Sequence, residues 1–223
     1  RALSEAGYTG VSFDELQGYV LRGEPLPEKP VVITFDDGYL SNYTLAYPIL
    51  QKYGMKATIF AIGVSFGKDH YKDTDYAMTP HFGAAEAQEM ADSGLISIQS
   101  HTYDMHQWPP YEDGSAAVRE NILPLAGESE EAYVQALTED FTKSRAQLED
   151  ATGQPVDVLA YPAGQYSTLA QVTLQELGVH VTLSTNPGVN TVVKGLPQTL
   201  YAMLRFGITD DITPAALLAL IGA

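Results

Sequence analysis

The sequence predicts an α/β fold in which parallel strands alternate with helices. Short runs rich in Val, Ile, Thr and Phe alternate along the chain with amphipathic stretches of helical period, and such alternation is typical of a βα repeat around a parallel sheet or barrel. The 223 residues, 45% of them hydrophobic, suffice to bury one sizeable core. No internal repeat or low-complexity tract divides the chain, so residues 1–223 are predicted to form a single domain.

The predicted strands are short β-branched or apolar runs bounded by turn residues. In chain order they cover residues 9–12, 31–35, 57–62, 95–99, 156–161, 179–184 and 198–206. The predicted helices carry apolar side chains three and four positions apart, and several end at a glycine that can adopt the left-handed cap conformation. In chain order they cover residues 2–6, 13–21, 43–53, 84–93, 130–152, 168–177 and the Ala- and Leu-rich segment after Pro214.

Two longer segments interrupt this alternation. Residues 63–80 are polar and rich in Asp and Tyr, and residues 107–129 contain several prolines and glycines. Both compositions indicate surface loops, and loops of this length are usually functional or mobile.

Composition excludes several classes of function. Twenty-eight acidic and twelve basic side chains give a formal net charge of −16, which opposes binding to phosphate backbones, so we expect no nucleic-acid partner. The absence of cysteine excludes disulfides and thiol catalysis. No stretch approaches the roughly 20 apolar residues of a membrane span, so we predict no transmembrane segment in this chain. We expect a monomer.

Candidate metal ligands follow two of the predicted strands. Asp36 and Asp37 come directly after residues 31–35, and His101 and His106 lie in the loop that follows residues 95–99. The carboxyl ends of parallel strands meet at one edge, where such folds build their active sites. Catalytic zinc takes three protein ligands from His, Asp or Glu, a requirement that Asp37, His101 and His106 meet.

The remaining groups suggest a hydrolase. With Asp37 as ligand, Asp36 is free to act as general base toward water. The turn Tyr161-Pro162-Ala163-Gly164 follows another strand, and a backbone N–H there is a candidate donor to an oxyanion. The flat rings of Tyr103 and Trp108 suit stacking on a sugar ring, although packing within the loop is an equally good interpretation of both.

Each motif has a simpler interpretation when taken alone. Asp37-Gly38 is a common turn dipeptide, a single histidine is more often an ordinary loop or core residue, and the Tyr161–Gly164 segment is a turn. The order of the three motifs, each after a strand, favours a metal-dependent site. The other histidines are interpreted as non-catalytic: His70, His81 and His180.

The three motifs resemble, in order and spacing, those of the polysaccharide deacetylases, family 4 of the carbohydrate esterases. They read Thr34-Phe35-Asp36-Asp37-Gly38, Ser100-His101-Thr102-Tyr103-Asp104-Met105-His106 and Tyr161-Pro162-Ala163-Gly164. The resemblance implies a distorted (β/α)₇ barrel and metal-dependent deacetylation of N-acetylglucosamine polymers by an exported or cell-surface enzyme.

The resemblance also implies roles for individual residues. Asp36 is the base, Asp37, His101 and His106 bind the metal, which is usually zinc although another divalent transition metal is compatible, and the Ala163 N–H donates to the oxyanion. The implied substrate contacts are Tyr161, Pro162, Gly164, Tyr103 and Trp108.

Two departures from the family pattern matter. The family often places an Arg that holds the base at the position of Ala160, and we expect Arg205 to replace it. Most members also carry a late acid histidine, whereas no histidine follows His180. The chain resembles most the bacterial poly-N-acetylglucosamine deacetylases, which carry this acid early, so we expect it upstream of Arg1, on a first barrel strand that this chain lacks.

The sequence thus predicts a polysaccharide N-deacetylase acting on peptidoglycan or exopolysaccharide. An O-deacetylase such as an acetylxylan esterase is the nearest alternative, because the alkoxide that leaves from an ester depends less on a general acid than the amine that leaves from an amide. A catalytically impaired glycan-binding module and an amidohydrolase of small cyclic amides stay open as well.

Overall fold

The structure is a computed structural model that describes residues 1–112, 114 and 117–222. Its strands are β1 (Thr9–Gly10), β2 (Pro30–Val31), β3 (Thr34–Phe35), β4 (Ala57–Ala61), β5 (Ile96–Ser100), β6 (Val158–Ala160) and β7 (Val181–Leu183). Its α-helices are α1 (Ala2–Glu5), α2 (Phe13–Gln17), α3 (Tyr47–Tyr53), α4 (Ala84–Asp92), α5 (Glu130–Thr152), α6 (Thr168–Glu176) and α7 (Pro214–Leu220).

The described residues form a five-stranded parallel sheet in the order β3-β4-β5-β6-β7. Each strand pairs in parallel with the next one along the chain, with Phe35 opposite Ile59 and Ala61 opposite Ser100. This order places the carboxyl ends of all five strands at one edge. Helices pack around the sheet, as the alternation in the sequence predicts.

The predicted strand at residues 31–35 is divided between two sheets. Its first part, within β2, pairs with β1, whereas its second part, β3, pairs with β4. The chain passes from one sheet to the other at Val32 and Ile33, and the Ile33 carbonyl still accepts from the Thr58 N–H at 2.9 Å. The apolar pattern is the same in both halves, so the sequence does not reveal the division.

The prediction of a strand at residues 198–206 is wrong. A 3₁₀ turn, Pro197–Leu200, occupies its start, and only a single parallel bridge joins Met203 to Leu183. Ala202 has a φ of 51°, in the left-handed region, which interrupts any extended segment. One isolated bridge therefore replaces the expected strand.

The helix predictions are mostly confirmed. The long helix α5 has the predicted bounds, because the Ser129 side chain accepts from the Ala132 N–H and Gly153 ends the helix in the left-handed conformation. Two predicted helices are instead partly π-helical, through Gly18–Arg22 after α2 and Asn42–Ala46 before α3. Within the long loop predicted at residues 107–129, the described part contains a 3₁₀ turn, Pro109–Tyr111, and residues 113, 115 and 116 lie outside the described residues.

Two apolar clusters hold the sheet. One joins strand side chains such as Ile59, Ile98 and Leu159 to Leu137 and Phe141 of α5. The other joins Phe60, Val158 and Val181 to α2 and to Met203. Because both clusters are buried and strand positions alternate between them, the carboxyl ends of the strands are fixed in place.

None of the helices among the described residues combines the length and the apolar character that crossing a membrane requires.

Candidate active site

The candidate site lies at the carboxyl edge of the parallel sheet. Asp36 and Asp37 follow β3, His101 follows β5, and the turn beginning at Pro162 follows β6. Asp37 has a φ of 69°, which turns the chain sharply after the strand. Its carbonyl accepts from the Ile62 N–H at 3.3 Å, so the turn is tied to the end of β4.

Asp37, His101 and His106 converge as the sequence predicts. Oδ1 of Asp37 lies 3.5 Å from Nε2 of His101 and 3.9 Å from Nε2 of His106. The three potential ligand atoms all lie within 4.8 Å of one another. The two imidazole rings are nearly perpendicular, at 88°, with centroids 5.2 Å apart. A single ion is therefore within reach of all three side chains.

Backbone carbonyls fix the orientation of both histidines. Nδ1 of His101 lies 2.8 Å from the Ala160 carbonyl, and Nδ1 of His106 lies 3.1 Å from the Glu120 carbonyl. A carbonyl oxygen only accepts, so Nδ1 carries the proton and Nε2 presents its lone pair toward Asp37 in the neutral ring. Burial lowers the pKa of His101, while the charges of Asp36 and Asp37 oppose this shift. One carboxylate and two neutral imidazoles fit a divalent transition metal.

Arg205 binds the carboxylate of Asp36, the other aspartate of the adjacent pair. Its Nη1 and Nη2 donate to Oδ1 and Oδ2 of Asp36, each at 2.7 Å, and its Nε donates to the Ser184 carbonyl at 2.9 Å. Burial raises the pKa of Asp36, but the hydrogen bonds from Arg205 and the nearby positive charges outweigh it, so the net shift is downward. The fork geometry holds both oxygens of Asp36 in one orientation.

The loop that carries the histidines is anchored to helix α5. The carboxylate of Asp140 accepts from the Tyr103 N–H at 2.8 Å and from the Asp104 N–H at 2.7 Å. Burial raises the pKa of Asp140 to about 6 in spite of these two hydrogen bonds. Sequence reasoning missed this residue, although a signal was present: Asp140 lies seven residues after Tyr133, on the face of the helix that is buried.

The turn after β6 carries Ala163 at its tip. Ala163 is exposed and has a φ of 53°, while Tyr161 before it is buried and stacks on Tyr166 with centroids 4.8 Å apart. The Gly164 N–H closes the turn on the Tyr161 carbonyl at 2.8 Å, and Pro162 is buried. Burial also raises the pKa of Tyr161 to about 12, which keeps its hydroxyl neutral.

The two aromatic candidates take different places. The ring of Tyr103 lies against Gly63 and under the ammonium group of Lys143, which is 3.9 Å from the ring centroid. Trp108 is 56% exposed and contacts Tyr111, with ring centroids 4.9 Å apart.

The three histidines interpreted as non-catalytic lie outside the ligand triad. His70 pairs with Asp69 on the surface, and His180 pairs with Gln17 and Asp157 beside the amino end of β7. His81 is buried against Tyr39, with ring centroids 4.9 Å apart. Burial raises the pKa of Tyr39 to about 12, and the charge of Asp37 and a hydrogen bond to it add to the shift. Tyr39 therefore supports Asp37, a contact that the sequence did not predict.

The chain is similar to known proteins in both sequence and structure. The polysaccharide deacetylase family model matches residues 23–182. A relative from Bacillus subtilis (strain 168), named as a polysaccharide deacetylase, YxkH, is 31% identical over 214 residues, which cover 96% of this chain and 64% of YxkH. The poly-β-1,6-N-acetyl-D-glucosamine N-deacetylase of Escherichia coli (strain K12) is 28% identical over 223 residues, which cover 90% of this chain and 32% of that protein. The chain thus spans less than two thirds of either curated relative.

A solved structure, the de-N-acetylase from Aggregatibacter actinomycetemcomitans, matches with a TM-score of 0.80 at 22% identity. The match covers 99% of this chain and 86% of the solved chain. It confirms the predicted distorted (β/α)₇ barrel. Because the family model covers well over half of the residues, the chain belongs to the polysaccharide deacetylase family.

Proposed function

We propose that this chain is a metal-dependent deacetylase that removes N-acetyl groups from N-acetylglucosamine-containing polysaccharide, either peptidoglycan or exopolysaccharide. The observation that carries the proposal is the convergence of Asp37, His101 and His106 beside an Asp36 held by Arg205. The named substrate of the Escherichia coli relative supports an N-acetylglucosamine polymer. Such polymers lie outside the cytoplasm, so the proposal includes an exported or cell-surface location.

Asp37, His101 and His106 are the residues that would hold the ion, with Zn²⁺ as the first choice for two imidazoles and one carboxylate. When bound, such an ion supplies Lewis acidity, which makes water a better nucleophile at neutral pH. The protein contributes the orientation of the ligands: two carbonyls set the histidine tautomers, and Tyr39 supports Asp37.

Asp36 is proposed as the general base that accepts a proton from the attacking water. Its lowered pKa keeps it ionised at neutral pH, so it is ready to accept that proton. Arg205 is the proposed positioning residue, because its two hydrogen bonds fix the carboxylate toward one direction. The two adjacent aspartates thereby divide the roles of base and ligand.

The turn after β6 is proposed to receive the acetyl group. The Ala163 N–H is the proposed donor to the oxyanion that forms when water adds to the acetyl carbonyl. Pro162, Gly164 and the buried Tyr161 shape this turn, and Tyr103 and Trp108 are further proposed contacts with the sugar.

O-acetylated polysaccharide is the second candidate substrate, for one specific reason. A leaving amine needs a proton donor more than a leaving alkoxide does, and residues 181–223 contain no histidine that could act as the late acid of the family. Acetate release from acetylxylan and from N-acetylglucosamine oligomers, measured side by side, separates the two reactions.

Asp36→Asn is the test of the proposed function. The amide cannot accept a proton, so the zinc-loaded variant should release acetate from N-acetylglucosamine oligomers about 10²- to 10⁴-fold more slowly than wild type. Zinc content, measured by mass spectrometry, should stay at the level of wild type, because Asp37 and both histidines are intact.

His70→Asn is the matched control, since it alters an exposed imidazole that lies away from the ligand triad and contacts Asp69. Acetate release by this control should equal that of wild type. The proposal is wrong if zinc-loaded wild type releases no acetate from any oligomer, or if Asp36→Asn is as active as wild type. Either result would favour the alternative hypothesis of a glycan-binding module.

A further inference from the structure

Four aromatic rings from two different loops form a cluster, and the catalytic proposal uses one of them, Trp108, as a sugar contact. This aromatic platform consists of Tyr71, Tyr76, Trp108 and Tyr111. Tyr111 lies at its centre, with its ring centroid 5.1 Å from Tyr76, 4.9 Å from Trp108 and 5.5 Å from Tyr71. The Tyr76 and Tyr111 rings are nearly parallel, at 10°. Trp108 is 56% exposed and Tyr76 is 52% exposed, so their side of the platform faces solvent, whereas Tyr71 is 6% exposed and supports the other rings from within.

Polar contacts beneath the platform hold it in shape. The ammonium group of Lys72 lies 2.6 Å from Glu112 and 3.0 Å from Asp104. The hydroxyl of Tyr71 donates to Glu112 at 2.5 Å and accepts from the Trp108 N–H at 3.3 Å. These contacts join the loop at residues 63–80 to the loop that begins after His106. A ligand that binds here therefore meets rings that are already ordered, which lowers the entropic cost of binding.

The platform is attached to the loop that carries the two candidate histidines. Trp108 comes two residues after the metal-ligand candidate His106. Asp104, which pairs with Lys72 under the platform, belongs to the same loop as both candidate histidines and is anchored to Asp140. A chain-like substrate with one unit at the metal ligands would therefore have further units near the platform.

We infer that the aromatic platform binds sugar units of the polysaccharide that neighbour the unit being deacetylated; this inference rests on the proposed function. Large exposed aromatic surfaces rarely occur without a binding role. The apolar C–H faces of pyranose rings match the flat faces of exposed aromatic rings. The net charge of −16 disfavours anionic polymers and leaves neutral or cationic glycans as ligands.

The chain offers a direct reporter for this site. Trp108 is its single tryptophan, so intrinsic tryptophan fluorescence reports on the platform without contributions from elsewhere. Titrating an N-acetylglucosamine hexamer into zinc-loaded wild-type protein should change the emission saturably. Tyr76→Ala keeps the reporter and removes a ring that stacks on Tyr111, and it should raise the apparent Kd about fivefold. Ile49→Ala, which truncates an apolar side chain on α3 with the same 56% exposure as Trp108, should leave the Kd unchanged.

Kinetics provide a second readout. Tyr76→Ala should raise KM for the hexamer about fivefold at unchanged kcat, because it removes binding that is equal in the ground state and the transition state. Turnover of the N-acetylglucosamine monomer, which is too short to reach the platform, should not change. Tyr76→Phe keeps the flat ring and should have nearly the KM of wild type.

The outcomes separate this inference from the proposed function. Acetate release without a change in emission, or equal effects of Tyr76→Ala on hexamer and monomer, overturns the inference and leaves the deacetylase proposal intact. Saturable emission changes without acetate release support the platform and contradict the deacetylase proposal. Equal shifts of the Kd in Tyr76→Ala and Ile49→Ala also overturn the inference. Thermal unfolding of each variant checks that the fold is intact.

Discussion

Gly164 shows how a single backbone position shapes the proposed oxyanion turn. Its φ is +68°, and a Cβ atom there would meet Oγ1 of Thr185 at 2.1 Å and the Thr185 N at 2.6 Å. Glycine is therefore required at this position for two reasons: the backbone is left-handed, and Thr185, which follows β7, approaches closely. Ala163, directly before it, already holds a left-handed conformation with a side chain. The tip of this turn is consequently set by packing against the segment after β7.

Gly164→Ala should destabilise the protein more than a glycine replacement that meets no neighbour. Gly153 is the matched control, because its φ of +66° is nearly the same and a Cβ there would meet nothing within 4 Å. Gly153→Ala should cost about 1 kcal/mol, the price of the left-handed conformation alone. Gly164→Ala should lower the free energy of unfolding, measured in urea, by about 2 kcal/mol more, because the added Cβ meets both the side chain and the backbone N of Thr185. Equal losses in the two variants would contradict the role given to Thr185.

At the level of elements, helix α5 does more than cover the sheet. Its buried face packs Leu137 and Phe141 into the core, and on the same helix Asp140 receives two N–H groups from the loop between His101 and His106. That loop includes Thr102 with a φ of 73°, an unusual conformation for a β-branched residue. The helix therefore supplies contacts that hold the metal-ligand candidates in a conformation the loop alone would not favour.

Asp140→Asn should loosen this loop without touching the ligands. An asparagine accepts one of the two N–H groups through its oxygen and leaves the other without an acceptor, at a cost of about 1–3 kcal/mol. We expect weaker zinc binding and slower acetate release than in wild type. Glu139→Gln is the control, since it removes a neighbouring carboxylate that is exposed. If both variants bind zinc as wild type does, Asp140 has no role in positioning the loop.

The same residue gives the stability a defined pH dependence. The folded-state pKa of Asp140, about 6, lies above the ordinary value of about 3.9, so the folded protein holds this proton more tightly than the unfolded chain does. Its contribution is fully present below about pH 4 and is lost as pH rises through 6. The unfolding free energy of metal-free wild type, relative to Asp140→Asn, should therefore fall between pH 4 and pH 7. A difference that is flat over this range would contradict the raised pKa.

The sequence was a better guide to some elements than to others, for physical reasons. Helix α5 could be bounded because Ser129 and Gly153 are local cap signals. The strand at residues 198–206 could not be excluded, because the left-handed Ala202 is imposed by tertiary contacts and has no signature in an alanine. The convergence of Asp37 with both histidines followed from motifs after strands, whereas the contacts of Tyr39 and Asp140 depend on packing between distant segments.

At the scale of the whole molecule, the dominant property is the net charge of −16. Deacetylation, as proposed, converts neutral acetamido groups into amines that are cationic at neutral pH. A strongly negative protein attracts such a partly deacetylated polymer over long range, and this attraction is screened by salt. The fully acetylated polymer is neutral and depends on short-range contacts, among them the aromatic platform.

Salt should therefore act differently on two oligomers of equal length. Raising the ionic strength from about 10 mM to about 1 M shortens the Debye length from about 30 Å to about 3 Å. KM for a partly deacetylated hexamer should rise about tenfold over this range, because its attraction to the protein is screened. KM for the fully acetylated hexamer should stay nearly constant, and this oligomer controls for any effect of salt on the fold or on metal binding. Parallel increases for both would show that the net charge plays no part in recognising the polymer, and that contacts at the site and the platform act alone.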